Sequence, residues 1–306
     1  MSAATTPPGT PAGRPEEAAT GQLAPYQLYD QVAEAAAALV IKRYSSSFGM
    51  ASRLLAEPVR THVCNVYALV RVADEIVDAP RPDGRRAHQS RLLDGLQDDV
   101  HAALRTGHSA NLVVHAFART ARTCGIGAEL IDPFFASMRT DLFREEHDEE
   151  SFAEYVYGSA EVVGLMCLRA FLVGRPHAAR EYVELRAGAR RLGAAFQKVN
   201  FLRDLAADSD DLGRSYFPGL DVARFDAHDR DRLLDDIDAD LAAAAAVVHR
   251  LPAGSRRAVS AAHALFAELS RRLRHTSPDE IRRNRIRVPG PRKAQVIARA
   301  VTRGVS

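Results

Sequence analysis

The sequence has few cysteines, no long apolar run and almost no net charge. Its three cysteines, Cys64, Cys124 and Cys167, are widely spaced in 306 residues and form no CxxC or Cys/His pattern, which argues against a disulfide framework and a structural zinc site. Arg, Asp or Glu interrupts every apolar stretch before it reaches the ~18 residues that span a bilayer. A net charge of +2 is too small for duplex nucleic acid to be the main partner. We therefore expect neither a nucleic-acid partner nor a membrane span.

The first 24 residues differ in composition from the rest of the chain. They contain four prolines together with alanine, threonine and glycine, and they lack the apolar region of a secretory signal. Such a segment cannot offset the entropy lost on ordering. We expect residues 1–24 to be a disordered tail, residues 25–306 to form the folded domain, and the protein to be cytoplasmic.

Helical periodicity recurs along the remainder, and alternating strand patterns are absent. Between Asp83 and Val173 the only proline is Pro133, which leaves room for long helices. The pattern predicts an all-α fold, a single large helical bundle. The predicted helices cover about 30–43, 58–79, 85–106, 109–123, 127–146, 151–173, 178–207, 229–250 and 254–275, followed by a basic pair of helices near 278–303.

One of these helices has a narrow polar stripe on an otherwise apolar surface. At about 100° per residue, Tyr67, Arg71, Asp74 and Asp78 fall within roughly 60° of one another. Two carboxylates four residues apart on a buried face stay ionised only beside a counter-charge. That counter-charge is an arginine, a metal ion or both.

A second helix repeats this arrangement, with Gln197, Asn200, Asp204 and Asp208 in an arc of about 80°. Carboxylate and amide oxygens suit Mg²⁺, which is usually held by one or two carboxylates and substrate phosphate oxygens. Two facing stripes therefore indicate a Mg²⁺ cluster that binds a diphosphate. The competing interpretation is a pair of buried ion-pair networks, for example Arg71 with Asp74.

The DxxxD spacing alone is not diagnostic, because it recurs elsewhere. Three further pairs lie among Arg, Gln, His and additional Asp residues, as solvated helix faces do. We interpret these three as structural: Asp94/Asp98, Asp231/Asp235 and Asp236/Asp240.

Five segments, taken in order, carry a family resemblance. They are YSSSFGMASRLL (Tyr44–Leu55), RVADEIVD (Arg71–Asp78), EYVYGSAEVVGLM (Glu154–Met166), QKVNFLRDLAADSDDLGRSYFP (Gln197–Pro218) and RRNRIRVPGPRKA (Arg282–Ala294). Together they resemble the motifs of the squalene/phytoene synthase family, the head-to-head prenyl transferases, over nearly all of residues 26–302. The last segment resembles the closing element of bacterial phytoene synthases.

The resemblance implies the isoprenoid synthase (class I terpene synthase) fold with a central active-site cavity. It also implies a Mg²⁺ site in each acidic motif. The implied ligands are Asp74, Asp78, Asp204 and Asp208, with Asn200 and Gln197 supporting the second site.

The same resemblance implies which residues contact substrate. Arg71 would contact diphosphate, Tyr155 would lie near the reacting carbons, and Tyr216 would lie on a loop that closes the site. The remaining implied contacts are Tyr44, Ser45, Ser47 and Phe48 near one diphosphate and its prenyl chain, with Arg53 and Arg203 as further contacts. The side chain of Arg203 points about 100° away from that of Asp204 on the helical wheel.

Two positions depart from the family pattern. Ala207 stands where an acidic residue is usual in the second motif, and Glu161 replaces the usual glycine in the middle segment. Glu161 therefore introduces a charge beside Tyr155, and the sequence does not give its orientation.

The function implied by the resemblance is condensation of two geranylgeranyl diphosphates to phytoene through a cyclopropylcarbinyl diphosphate. The alternative is a squalene, presqualene diphosphate or dehydrosqualene synthase that uses farnesyl diphosphate. We expect no nicotinamide cofactor, mainly because the C-terminal segment resembles that of bacterial phytoene synthases. The one glycine cluster, GIGAEL at residues 125–130, lacks a third glycine and a preceding strand, which is weaker evidence for the same expectation. A terpene cyclase and a non-catalytic helical interaction protein are the other classes considered.

The C-terminal region is strongly basic. Residues 271–303 contain eleven Lys or Arg and two acidic residues. A solvated basic face is the simpler interpretation, and peripheral membrane contact is the next, because the implied substrates are lipids.

Overall fold

A computed structural model describes residues 24–45, 47–78, 86–210 and 215–303, with backbone alone at 25, 206–210 and 303. Over these ranges the chain is helical, and its one β-type interaction is an isolated bridge between Glu146 and Ser215. The predicted all-α fold is therefore confirmed. The predicted tail up to residue 23 lies outside the described residues. Within them, no helix combines the length and the apolar character that crossing a bilayer requires.

The helices are named here in chain order. They are α1 Pro25–Tyr44, α2 Ser47–Ser52, α3 Val59–Asp78, α4 Arg86–Thr106, α5 Leu112–Cys124, α6 Ala128–Phe143, α7 Glu149–Val156, α8 Val162–Phe171, α9 Ala178–Asp210, α10 Ala227–Val248, α11 Ala253–Arg274, α12 Pro278–Ile281 and α13 Gly290–Arg303. A π-helical turn, Tyr157–Glu161, joins α7 to α8, and a 3₁₀ turn, Val222–Arg224, precedes α10.

Two apolar clusters hold the bundle together. The first joins α3, α5, α6 and α8 through fully buried side chains such as Leu69, Phe117 and Phe135. The second joins α9, α10 and α11 through Leu202, Ile237 and others. Each such side chain contributes about 1.5–3 kcal/mol when buried. Because α8 packs against both α3 and α9, the two helices with acidic stripes are held on either side of it.

The predicted helix over 151–173 is interrupted by the π-helical turn. Gly158 lies in that turn, and a Cβ atom placed on it would be 2.1 Å from Ser137 Oγ and 2.2 Å from the Pro133 carbonyl oxygen of α6. Only glycine permits so close an approach of the two backbones. The interruption therefore coincides with tight packing against α6.

We expect Gly158→Ala to lower the free energy of unfolding by about 1–3 kcal/mol, because the added methyl group overpacks this contact. Denaturant titration followed by circular dichroism measures the change. Gly95→Ala is the matched control: Gly95 is exposed on α4 with open space around its Cβ position. That substitution should stabilise the protein by about 0.5–1 kcal/mol. Equal effects of the two substitutions would contradict the close-contact argument.

Candidate active site

A cavity of about 460 Å³ lies between α2, α3, α8, α9, α10 and α11. Its wall follows one face of α3 from Val63 to Asp74 and one face of α9 from Leu185 to Arg203. At 1.5 Å per residue these faces extend over about 16 Å and 27 Å. On both helices the first lining residues are apolar and the last are polar. The cavity is therefore amphiphilic, with its polar groups gathered at the carboxyl ends of α3 and α9.

The polar part brings together most of the residues predicted from the sequence. Its lining includes Tyr44, Ser45, Ser47, Phe48, Arg71, Asp74, Gln197, Asn200 and Arg203. The apolar remainder is lined by Leu168, Phe171, Leu185, Val248, Leu251 and Val259, among others. Residues more than 130 positions apart thus meet in one site.

Asp74 is the acidic side chain in this wall, and its environment opposes its charge. Burial raises the pKa of Asp74 to about 7, and the nearby carboxylates of Asp78 and Asp141 add to the rise, while Arg71 counteracts it. Asp78 does not line the cavity, but its charge acts on Asp74. Asp141 comes from α6 and belongs to no motif recognised in the sequence. The first acidic motif is therefore a cluster of like charges.

Arg71 does not neutralise this cluster by pairing with Asp74. Its ion pair is with Glu75, one turn along α3, so the Arg71–Asp74 pair considered above is not formed. The guanidinium of Arg71 lies 4.7 Å from the centre of the Tyr44 ring, and its buried Nε has no hydrogen-bond partner. Arg71 therefore keeps a donor for an anion at the polar end of the cavity.

The second motif contains the complementary feature. Asn200 Oδ1 is buried without a hydrogen-bond partner and belongs to a residue that lines the cavity. Such an atom suits a cation or a donor from substrate. Gln197 is tethered by a hydrogen bond of 3.4 Å from its Nε2 to Ser159 Oγ.

Asp204 lies just outside the wall and is held by two arginines. Arg203 Nε donates to Asp204 Oδ1 at 2.9 Å, and Arg285 Nε approaches the same oxygen at 2.8 Å. Arg203 therefore reaches Asp204 despite its angle on the helical wheel, because adjacent long side chains can fold toward each other. Both arginines line the cavity. The side chains of Ala207 and Asp208 lie outside the described residues.

Arg285 was missed by the sequence interpretation. It lies in the segment RRNRIRVPGPRKA, which was linked to the family only as a whole. Because this segment joins α12 to α13, far along the chain from Asp204, helical periodicity could not place Arg285 at the site. Its position adds a third cation, after Arg71 and Arg203, to the polar end.

Three predicted contact residues are not in the cavity wall. Arg53 is exposed on the turn after α2. Tyr155 is buried behind the wall, where its hydroxyl donates to both carboxylate oxygens of Asp141 at 2.9 Å. The Tyr216 hydroxyl donates to Asp141 at 3.3 Å, and its ring stacks on that of Tyr155 at 5.4 Å between centroids.

Tyr155 and Tyr216 belong to an aromatic cluster that fixes the carboxyl-terminal part of α9. The Phe201 ring stacks on that of Tyr216 at 4.0 Å between centroids and lies 5.9 Å from that of Tyr155. Burial, followed by the charge of Asp141, raises the pKa of Tyr155 well above its usual value. Tyr155 is therefore a neutral hydrogen-bond donor that connects α7 to α6. Tyr155 does not line the cavity.

Glu161, the charge that departs from the family pattern, points away from the cavity. Its Oε2 accepts a hydrogen bond from Arg190 Nε at 2.5 Å, and the Arg190 guanidinium lies 5.1 Å from the centre of the Tyr157 ring. The substitution of glycine by glutamate is thus compensated by an ion pair with α9, and the residues beside it, Ser159 and Ala160, line the cavity.

Among the described side chains, no three His, Cys, Asp or Glu residues converge closely enough to form a metal site by themselves. Asp74 has carboxylate neighbours, whereas Asp204 is occupied by arginines. Any cation bound here would therefore need ligands from substrate as well as from the protein.

Comparison with known proteins identifies the family. The family model described as squalene/phytoene synthase matches residues 41–292. The chain belongs to the squalene/phytoene synthase family. Members of this family are prenyltransferases that carry out head-to-head condensation of prenyl diphosphates, so the predicted enzyme class is confirmed.

Relatives within the squalene/phytoene synthase family carry different names. The chain is 31% identical over 175 residues to presqualene diphosphate synthase of Rhodopseudomonas palustris. That alignment covers 56% of this chain and 58% of the relative. The chain is 29% identical over 262 residues to 15-cis-phytoene synthase of a Paracoccus species, which covers 79% and 82%. The first alignment spans less than two thirds of the relative's length.

A solved structure of the same family supports the fold. A dehydrosqualene synthase crystallised with a ligand superposes with a TM-score of 0.75 at 21% identity, covering 91% of this chain and 98% of that one. The class I isoprenoid synthase fold predicted from the resemblance is therefore confirmed.

The raised pKa of Asp74 predicts a cost to stability in the metal-free enzyme. The folded state holds this proton more tightly than the unfolded chain, whose carboxyl has a pKa near 3.8. The contribution of Asp74 is therefore fully favourable below pH ~4 and is lost as the pH rises through about 7. In the presence of a chelator at pH 8, the free energy of unfolding of Asp74→Asn should exceed that of wild type by on the order of 2 kcal/mol. Denaturant titration measures this difference, which should disappear at pH 4.

Asp98→Asn is the matched control for this measurement, because Asp98 is exposed on α4 and has the same spacing to Asp94. Its unfolding free energy should follow that of wild type at both pH values. A constant gap between Asp74→Asn and wild type from pH 4 to pH 8 would show that the Asp74 charge is not destabilising.

Proposed function

We propose that this chain condenses two molecules of geranylgeranyl diphosphate to phytoene, with Mg²⁺ as cofactor. The observation that carries the proposal is the amphiphilic cavity: cationic and acidic side chains from both motif helices lie at its polar end, and a long apolar wall continues from them. A prenyl diphosphate has the same division, a dianionic or trianionic head and a hydrocarbon chain. Head and tail are therefore matched by the two parts of one cavity.

Two observations favour the longer substrate. Small residues, including Ala51, Ser52, Gly188 and Ala258, occupy much of the wall, so they leave width for hydrocarbon. The relative named 15-cis-phytoene synthase aligns over 82% of its own length. Farnesyl diphosphate remains the second candidate substrate, because the relative named presqualene diphosphate synthase is 31% identical.

The residues at the polar end suit Mg²⁺ together with diphosphate. Asn200 Oδ1 has no protein partner, and Asp74 lies in an environment where a bound cation would offset its repulsion from Asp78 and Asp141. Asp74, Asp78, Asn200, Asp204 and Asp208 are the proposed ligands. When bound, Mg²⁺ would neutralise the negative charge that develops on the departing diphosphate.

The protein's own cations support the same step. Arg71 has an unpartnered Nε, and Arg203 and Arg285 already hold one oxygen of Asp204. When diphosphate leaves an allylic carbon, these guanidinium groups donate hydrogen bonds to its oxygens, and such charge-assisted bonds are the strong ones. Ionisation is thereby favoured at the polar end only.

The apolar wall then protects the cation. The allylic carbon of the first substrate bonds to the double bond of the second and gives a cyclopropylcarbinyl diphosphate with loss of a proton. Departure of the second diphosphate, rearrangement and a further proton loss give the joined polyene. Two stacked aromatic pairs in the wall, Phe48 with Tyr67 and Phe196 with Phe266, offer ring faces to positive charge, and the lining excludes water.

Incubation of the purified protein and Mg²⁺ with geranylgeranyl diphosphate should give phytoene, identified by mass spectrometry of the apolar extract. Farnesyl diphosphate supplied alone should react much more slowly. A dehydrosqualene, squalene or presqualene product from farnesyl diphosphate, with none from the longer substrate, would contradict the proposed substrate and keep the proposed site. A single-substrate cyclic product would contradict the head-to-head reaction itself.

Variants of the assay connect product formation to the acidic motifs. Chelation of Mg²⁺, Asp74→Asn and Asp204→Asn should each reduce the rate about 100-fold or more, since each removes charge stabilisation of the leaving group. Asp98→Asn should retain the wild-type rate. Wild-type activity in both motif variants would support a different site.

Arg285 should contribute to substrate binding. We expect Arg285→Gln to raise the KM for the prenyl diphosphate about tenfold, because one charge-assisted hydrogen bond to diphosphate is lost. Arg283→Gln is the matched control, since Arg283 is exposed in the same segment and does not line the cavity. Steady-state kinetics measure both. Identical KM values for the two variants would remove Arg285 from the site.

A further inference from the structure

The helix α1 carries an apolar stripe that no described part of the protein covers. Leu28, Val32, Ala35 and Leu39 recur at helical spacing and fall within about 60° of one another; we call them the outer face of α1. The side chains of Leu28, Val32 and Leu39 are 54%, 46% and 53% exposed. Large aliphatic side chains aligned in this way on a surface indicate an interaction site.

The opposite side of α1 is fully used by the fold. Ala33 and Ala37 are completely buried against Ala68 of α3 and Ala116 of α5. These residues lie roughly 180° from the outer face, so the stripe is not a displaced part of the core. The outer face is therefore turned away from the side of α1 that packs on the core.

The charged residues of α1 are also distributed unevenly between its core side and its outer face. The two acidic residues, Asp30 and Glu34, lie toward the core side, where Asp30 accepts from His115 at 2.8 Å and Glu34 lies 3.7 Å from Arg119. The basic residues Lys42 and Arg43 lie in the last turn of α1, about 40–60° from the centre of the outer face. The exposed side is therefore apolar with positive charge at one end, which complements an anionic lipid surface.

The outer face of α1 lies on the helix that leads to the cavity. Tyr44, the last residue of α1, is 54% exposed and lines the cavity. Contact of α1 with a bilayer would bring the polar end of the cavity close to the membrane surface. We propose that the outer face of α1, with Lys42 and Arg43, is the docking surface of this protein on anionic membranes; the choice of a lipid partner rests on the proposed function, since its substrates are lipids.

Two other occupants fit the stripe less well. A stable interface between two copies needs about 800 Å² on each partner, far more than three half-exposed aliphatic side chains supply. Residues 1–23, which precede α1, contain one leucine, one methionine and four prolines, so they offer little apolar surface to cover it.

The basic region 271–303, the membrane contact considered from the sequence, is largely paired within the protein. Six of its eleven cations form ion pairs: Arg271, Arg272 and Arg292 with Glu268, Arg274 with Asp235 and Asp238, Arg282 with Asp279, and Arg285 with Asp204. The hydrogen bond from Arg292, followed by those from Arg271 and Arg272, lowers the pKa of Glu268 to about 2. These cations have anionic partners already and are less available to lipid headgroups than Lys42 and Arg43.

The test is cosedimentation of the full chain with vesicles of phosphatidylcholine containing one quarter phosphatidylglycerol. Wild type should bind them and release at high salt. The triple variant Leu28→Gln, Val32→Thr, Leu39→Gln should bind about tenfold less or weaker still, because the apolar contribution is removed. Val183→Gln, which changes an aliphatic side chain that is 58% exposed on α9, should bind like wild type.

A second pair of variants tests the charge. Lys42→Gln with Arg43→Gln should lower binding roughly tenfold or more, whereas Arg186→Gln with Arg257→Gln, the same change of net charge at exposed positions elsewhere, should have little effect. Absence of wild-type binding to anionic vesicles would overturn the proposal. Equal binding by wild type and the triple variant would also overturn it, as would loss of binding only when Arg283, Arg287 and Arg299 are neutralised. A wild-type dimer in sedimentation velocity that the triple variant abolishes would assign the outer face to a second copy of the chain and overturn the proposal too.

Activity on detergent-dispersed geranylgeranyl diphosphate separates this inference from the proposed function. The triple variant should keep the wild-type rate in detergent, since none of its three residues lines the cavity. If the docking surface is wrong, detergent activity remains and the difference in vesicle binding disappears. If the proposed reaction is wrong, detergent activity is absent in wild type and the difference in vesicle binding remains.

Discussion

The burial of Asp74 beside other carboxylates is the constraint on which the site depends. A carboxylate in a helical bundle is ordinarily offset by an arginine or lysine, yet here the nearest arginine on the same helix pairs with Glu75. Asp78 and Asp141 instead oppose the charge of Asp74. A protein tolerates such a cluster at the cost of stability. A bound cation is the simplest species that would convert this repulsion into attraction.

The acidic helices α3 and α9 can serve one cavity only because α8, which packs between them, approaches α9 closely. Gly164 of α8 and Gly193 of α9 lie in the cavity wall, and a Cβ on either would be 2.5 Å from a carbonyl oxygen of the facing segment. Close backbone contact fixes α9 along the length that precedes Gln197 and Asn200. The polar end is therefore positioned by the packing of apolar and backbone surfaces, which limits how far its ligands can move.

Sequence reasoning succeeded where the information is local. Periodicity located the long helices, and α5 begins at Leu112 instead of 109 because Asn111 caps it by accepting hydrogen bonds from Val113 N and Val114 N. The six-residue α2 was missed, since it is too short for a periodic signal. Both acidic stripes could be predicted because each lies along one helix and can be seen as an arc. The side chain of Asp208, at the end of the second stripe, lies outside the described residues.

Contacts between residues far apart in the chain could not be predicted from helical periodicity. Asp141 carries no motif, and its importance arises because α6 places it between Tyr155 and Asp74. Arg285 reaches Asp204 from a segment some 80 residues later. The motif around Tyr155 was recognised correctly, but the direction of its hydroxyl, toward α6 and not toward the cavity, follows from the partner that Asp141 provides.

The DxxxD spacing of Asp74 and Asp78 recurs in α10, where the carboxylates are compensated by cations of the protein. Asp236 and Asp240 are also four residues apart, and Asp240 is almost completely buried. Lys198 of α9 donates to both, at 2.5 Å and 2.9 Å, and Arg191 pairs with Asp240 at 2.8 Å. Both carboxylates of that pair are therefore compensated by cations of the protein. Asp74 differs because its neighbours Asp78 and Asp141 are carboxylates and Arg71 pairs with Glu75. The proposed role of Asp74 in metal binding rests on that difference.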